Sequence, residues 1–397
     1  MASTRADRAG EFAPGGAHEL REIVTTLCGW ERESAGPGER RAAEWIAARL
    51  RAIGVPEVRL EREPAHGGYW WPLGLLSLVA GLAALQSRRL PRMLLGAVAA
   101  LGISDELELR RGVWTRRLLR RRTTTNVVAE LGPRDAPRCV VVIAHHDAAH
   151  SGAIFNPALI EAMGRRFPGM IGGVRMWPRI MRLVLAGPLL VALGARRLGA
   201  AVSLTSAAAF ADIARSAVVP GANDNLSGVA AMIAVAHGLS ASPLSSLRVV
   251  LLSAGAEESF EEGSQAFFRR HAQELAAART QVIVLDTVGS PTLVLVEGEG
   301  MLRRTEYDRE LKDALAAAAG AAGVPIERDY WLSFGSDALA AIRAGFPGTL
   351  LGSVNRFNLP ANYHWPSDTP ENVDFDTVAA AAQVVEGALR RLAASDR

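Results

Sequence analysis

Residues 139–150 read CVVVIAHHDAAH, an unbroken apolar run that ends in three histidines and an aspartate. A strand that is apolar on both faces needs cover on both, so it belongs inside a sheet with helices above and below. Similar runs follow: LRVVLLSAG at 247–255, QVIVLDTVG at 281–289 and GTLLGS at 348–353. Helical patterns separate them, VAAMIAVAHGL at 229–239, SQAFFRRHAQELAAA at 264–278 and RELKDALAAAAGAAG at 309–323. Strands alternating with helices predict an α/β three-layer sandwich around a mixed, largely parallel central sheet. The runs EVRLE (57–61) and TTNVVAEL (124–131) are expected to add antiparallel edge strands. Two helical patterns precede them, AHELREIVTTLCGW at 17–30 and GERRAAEWIAARLRAIG at 38–54. In the second, Ala43, Ile46, Leu50 and Ile53 recur at helical spacing, and Gly54 and Pro56 end it.

The chain of 397 residues has room for one large core, and its formal net charge of +3 implies no nucleic-acid partner. Cys28 and Cys139 form no disulfide framework and are expected as reduced thiols. Residues 1–16 read as a frayed tail without the pattern of a secretory signal, so a cytoplasmic catalytic domain is the expectation.

The chemistry-bearing residues gather at the carboxyl ends of the strands, the edge where open α/β sheets build their sites. His145 ends the first run and Asp147 stands two residues on, a spacing that lets a carboxylate orient an imidazole. His146 and His150 compete with it for a ligand role. In PGANDNLSGVAA (220–231), Asp224 lies between two asparagines; helix capping is the plain alternative. After the run at 247–255, Glu257 and Glu258 stand side by side, so one carboxylate can bind metal and the other serve as base. A charged helix start is the alternative there, and the better account of Glu261 and Glu262. Asp286 ends a very apolar strand, where a carboxylate calls for a cation. His364 sits in ANYHWPSDTPENVD (361–374) before the last helix.

Taken together, AHHD, GANDNLSG, AEE, LDTVG and YHWPSDTPENVD resemble the co-catalytic dizinc aminopeptidase family. That family includes bacterial leucyl aminopeptidases and aminopeptidase S, with glutamate carboxypeptidases and glutaminyl cyclases as relatives. The resemblance covers residues 17–66 and 118–395, a discontinuous peptidase domain. It implies a zinc exopeptidase acting on peptides with two zinc ions per chain. His145 and Asp286 would hold one ion, Glu258 and His364 the other, and Asp224 both; Glu257 would be the general base and Asp147 the orienting partner of His145. Ala338 stands where a histidine is frequent, which leaves open how the substrate carbonyl is stabilised. The alternatives are a glutaminyl-cyclase-like enzyme with one zinc, or a non-catalytic membrane-associated module of the same fold.

Residues 67–117 and 153–218 interrupt this plan as two insertions. Each reads as a hairpin of apolar helices with a basic turn: YWWPLGLLSLVAGLAAL then MLLGAVAALGI, and LVLAGPLLVALGA then LGAAVSLTSAAAFA. Arg88, Arg89 and Arg92 mark the first turn, Arg196 and Arg197 the second. Membrane association through shallow or spanning hairpins is expected, with Trp70, Trp71, Trp114 and Trp177 near the interface. A soluble helical subdomain, or a homodimer that buries these faces, is the alternative. The second insertion lies between the His145 and Asp224 motifs, so its base is expected to wall the substrate cleft.

Overall fold

The computed structural model describes residues 16–109, 113–117, 119–166 and 179–395. Residues 1–15, Trp177 and the side chain of Trp114 lie outside them. The chain opens with helices α1 (Gly16–Cys28) and α2 (Pro37–Ala52), strand β1 (Glu57–Ala65), and helices α3 (Trp70–Leu85) and α4 (Arg89–Leu107). Strands β2 (Arg122–Leu131) and β3 (Arg138–His145) follow, then α5 (Pro157–Arg166), α6 (Arg179–Ala192), α7 (Arg196–Arg215) and α8 (Gly228–Ala241). The remainder alternates: β4 (Arg248–Ala254), α9 (Glu262–Ala276), β5 (Arg279–Leu285), β6 (Thr292–Glu299), β7 (Thr305–Glu306), α10 (Arg309–Ala322), β8 (Glu327–Trp331), α11 (Asp337–Arg343), β9 (Gly348–Val354) and α12 (Phe375–Ser395).

Nine strands form one mixed sheet in the order β1-β2-β4-β3-β5-β9-β6-β7, with β8 beside β6. The centre, β4-β3-β5-β9, is parallel. The β1 and β2 strands join it antiparallel, as the alternating polar pattern of β1 requires of an edge. Every residue of β3 and β4 is buried. Their side chains alternate between two cores. Val140, Val142 and Ala144 face α1, α2, α8, α10 and α12, while Cys139, Val141 and Ile143 face α9 and α11. Cys139 is buried and Cys28 half-buried, both as free thiols. Strands β6 and β8 were not foreseen. The polar ends of both, Glu297–Glu299 and Glu327–Asp329, obscure the short apolar stretches between them.

The two insertions pack on each other. α3 lies against α4 and α7, and α6 against α4 and α7. Small residues bring these backbones close. A Cβ on Gly187 of α6 would sit 2.9 Å from the Ser203 backbone nitrogen, and one on Gly199 of α7 would sit 2.8 Å from that of Val191. The base of this bundle is anchored on the rest of the fold through Tyr69, Leu73, Ile103, Phe210 and Ile213, which pack with Phe260, Met301 and Leu339. No helix among the described residues is long and apolar enough to cross a membrane. Trp71 is exposed. Trp70 is buried, its ring 4.4 Å from that of His150, so this indole does not face an interface.

The Gly187 contact yields a stability test. Gly187→Val would force α6 from α7 and should cost roughly 1–3 kcal/mol. Gly320→Ala, in a helix with nothing within 4 Å of the new methyl, should be neutral or slightly stabilising. Calorimetric midpoints that move alike in both variants would rule out the close α6–α7 contact.

Candidate active site

The carboxyl ends of β3, β4 and β5 deliver His145, the Glu257–Glu258 pair and Asp286 to one place. Asp224 reaches them from the segment before α8, and His364 from the loop before α12. Parallel neighbours in register make this convergence a consequence of the sheet: His145 pairs with Ala254, three residues before Glu257.

Three overlapping groups result: His145 with Asp224 and Asp286, Asp224 with Glu258 and His364, and His145 with Glu257 and Glu258. Asp224 is shared by the first two. Its Oδ1 lies 3.2 Å from His145 Nε2 and its Oδ2 3.1 Å from His364 Nε2. His364 Nε2 is also 3.2 Å from Glu258 Oε1. Yet Asp224 Oδ2 and Glu258 Oε1 are buried without a hydrogen-bond partner among the described residues. Lone pairs converging at such distances, without a hydrogen bond between them, suit one or two cations.

The electrostatics agree with that reading. Burial pushes Glu257 well above the usual carboxylate range, with Glu258, Glu261 and Asp337 adding to the effect and His145 opposing it. Burial and Asp224 raise Asp286 to about 7. For Asp224, burial is outweighed by the attraction of the two adjacent imidazoles, which holds it low. Burial would discharge His364, but Glu258 and Asp224 overcome it and raise the ring to about 10.

Surrounding groups hold this arrangement still. Asp147 Oδ1 lies 3.4 Å from His145 Nδ1 and accepts the Glu257 N–H, and its Oδ2 accepts the Glu258 N–H and the Ser34 hydroxyl. One carboxylate thus ties the β3 end to the β4 end. Asp224 does not cap α8. Asn225 Oδ1 instead accepts the Gly228 and Thr287 N–H groups, and Asn223 Oδ1 accepts that of Gly289. His146 is buried against Ser253, with burial lowering its pKa to about 4, and the His150 ring donates to the Ser216 carbonyl. Neither joins the cluster.

Sequence reading missed four supports. Asp368 accepts the backbone N–H groups of Asn223 (2.7 Å) and Asp224 (3.0 Å). Buried Arg32 donates to the carbonyls of His146, Pro220 and Gly221, joining the β3 end to the segment before Asp224. Buried Glu39 accepts from Thr124 Oγ1 and from the N–H groups of Ala35, Thr125 and Ala256. Only Asp368 had a local signal, its place in the His364 loop; most partners of Arg32 and Glu39 lie far along the chain. The fourth is Glu262, which opens α9 as a charged helix start, as expected, but is buried there. It pairs with Arg116 (2.7 Å) and His66 (2.8 Å), and Arg116 also binds Glu106 of α4. Glu261, the residue just before α9, is buried too.

Above the cluster opens a cavity of about 290 Å³. Its floor holds His145, Asp224, Glu257, Glu258 and Asp286. One wall comes from the second insertion, through Phe155, Met181, Leu183, Val184, Phe210 and Ile213. Trp331, Phe334, Phe357 and Tyr363 line the other side. Tyr363 stacks on His364 at 3.8 Å between ring centres. Ala338 is packed in the core, so no side chain from this position reaches the cavity.

Two measurements test the cluster. Metal uptake must displace protons from groups held at about 7 (Asp286) and about 10 (His364). Affinity should therefore fall as pH drops from about 8 to 5, with protons released on binding. Calorimetry in two buffers of different ionisation enthalpy reads the release directly. Glu39→Gln should set an amide N–H against backbone donors and cost roughly 1–3 kcal/mol in chemical denaturation.

Residues 206–389 match the family model described as peptidase family M28. No curated protein matches the chain in sequence. Among solved structures, an aminopeptidase from Aneurinibacillus sp. strain AM-1 is 15% identical with a TM-score of 0.56, covering 95% of this chain and 93% of its own. A zinc aminopeptidase from Bacillus subtilis is 15% identical with a TM-score of 0.55, covering 96% and 95%. A glutaminyl cyclase from Bacteroides thetaiotaomicron is 14% identical with a TM-score of 0.58, covering 95% and 98%. At these identities the likeness is one of fold. The matched segment contains Asp224, Glu257, Glu258, Asp286 and His364. With these residues inside the matched segment, the chain is a metallopeptidase that is similar over residues 206–389 to peptidase family M28.

Proposed function

We propose that the protein is a zinc-dependent aminopeptidase that removes apolar first residues from short peptides. The observation that carries this reading is the Asp224 carboxylate, shared between the group of His145 and Asp286 and that of Glu258 and His364. A bridging carboxylate neutralises charge between two close cations, so this donor set suits a zinc pair. The pair, when bound, polarises the peptide carbonyl and makes a water acidic enough to ionise near neutral pH.

Glu257 then has the proton work. Its carboxylate takes a proton from the attacking water and returns it to the leaving amine nitrogen. A site that pushes its pKa upward strengthens it as a base, and Glu258 beside it is committed to His364. Asp147 orients the His145 ring and fixes the Glu257 backbone, so one residue sets both distances to the reacting atoms. The apolar walls favour a hydrophobic side chain, and the wall contributed by the second insertion limits the cavity to short substrates.

A glutaminyl-cyclase-like reading needs one metal, for which Asp224, Glu258 and His364 would suffice. It leaves the convergence of His145 with Asp224 and Asp286 unused. The hydrolytic reading uses both groups. A non-catalytic module would have no need of Glu257 at the same floor.

Glu257→Gln should lower kcat at least about 100-fold with metal content intact, and Glu258→Gln should lower zinc occupancy. If the Glu257 variant turned over normally, or lost metal as readily as the Glu258 variant, the assignment of base and ligand would be wrong. Mass spectrometry of metal should count about two zinc ions per chain, both weakened by Asp224→Ala. Saturation at one ion, with Asp286→Ala harmless and an N-terminal glutamine peptide cyclised, would favour the cyclase-like reading instead.

A further inference from the structure

The bundle built from the two insertions leaves much of its apolar surface uncovered. On α3 the exposed large apolar residues include Trp71, Leu75, Leu78, Leu82 and Leu85, spaced four and three apart, which places them on one stripe, with exposed Val79 beside it. Its neighbour α4 carries a second stripe, Leu90, Leu94, Val98 and Leu101. No Asp, Glu, Lys or Arg occurs between residues 64 and 87, so nothing ionic interrupts the first stripe.

Tertiary structure adds what the chain order does not show: both hairpin turns lie at the same end. Arg196, opening α7, donates from Nε and Nη2 to the carbonyls of Ala84 and Leu85 at the end of α3. That tip gathers Arg88, Arg89, Arg92, Arg196 and Arg197, and among the described residues none of the five forms a salt bridge with a carboxylate. Between them stand Leu85, Leu90, Leu193 and Leu198, exposed by 58%, 68%, 79% and 59%. The opposite end of α3, about 24 Å away for a 16-residue helix, reaches the cavity at Tyr69.

We propose that this tip and the α3–α4 face form a docking surface for an anionic lipid bilayer. The leucines enter the boundary between headgroups and acyl chains, and the arginines meet lipid phosphates. Leucines alternating with arginines that have no carboxylate partner, on one projecting end, fit both layers of such a surface. A second copy of this chain fits less well, because five like-charged arginines on each tip would repel. The docking is interfacial, as expected of helices too short or too charged to span.

Vesicle sedimentation of the full chain tests this. Phosphatidylglycerol–phosphatidylcholine vesicles should bind the protein at least tenfold better than phosphatidylcholine alone, and rising salt should weaken the binding. Leu90→Glu combined with Leu193→Glu should reduce binding at least tenfold. Arg88→Glu with Arg89→Glu should abolish the preference for anionic vesicles. All variants should hydrolyse a soluble peptide as the parent does, which shows that they are folded and separates this test from that of the catalytic assignment. The proposal is overturned if the parent fails to bind anionic vesicles at low salt, or if the leucine variant binds as well as the parent. A dimer by light scattering that the leucine variant splits would overturn it too, and assign the face to a second copy.

Discussion

The carboxylate of Asp224, buried between the imidazoles of His145 and His364, is the constraint around which the rest of the molecule is arranged. A carboxylate so placed is tolerable only where opposite charge stays within a few ångströms and the backbone cannot drift. Asp368 grips the backbone on one side, and the two neighbouring asparagines lace it to the loop after β5 on the other. Arg32, itself buried, pins the preceding turn to the end of β3. Each of these groups is spent on holding position, which leaves the ligand-facing atoms without protein hydrogen bonds and free for cations.

Crowding acids in this way has a cost that the fold meets with more than metal. Glu257, Glu258 and Asp286 all resist ionisation in the bare cluster because burial disfavours their charge. Asp147 is stabilised by His145, the Ser34 hydroxyl and two backbone N–H groups. Glu262 is answered by Arg116 and His66. The last pairing carries a structural consequence. Arg116 also binds Glu106 of α4, so the ion pairs that steady the loop after β4 also fasten the first insertion to the catalytic layer. The bundle is thereby part of the site's frame as well as a wall of its cavity.

Much of this could be read from the chain before its structure. Apolar strands without polar faces demanded helices on both sides, because burial on both faces is the only way to use them. Three of the five polar motifs, those of His145, Glu257–Glu258 and Asp286, stood at strand ends, and parallel pairing of β4, β3 and β5 brings these ends together. Sequence order alone could not choose among His145, His146 and His150. The pleat does: successive side chains point to opposite sides, which sends His146 to Ser253 and leaves His145 at the cluster. Nor could it show that Glu262, at the start of α9, is buried against Arg116 and His66, since these partners lie far off along the chain.

The insertions show the same division most plainly. Local pattern determined that residues 70–107 and 179–215 form apolar helices with basic turns, because helix propensity and hydropathy are properties of short stretches. Which faces meet was decided only in three dimensions, where Gly187 and Gly199 let backbones approach and Arg196 caps the end of α3. The sequence therefore determined the kinds of element and the chemistry at their ends. Tertiary packing decided which charges are paired, which histidine faces the cluster and which leucines stay exposed, because those outcomes depend on contacts between residues tens to hundreds of positions apart.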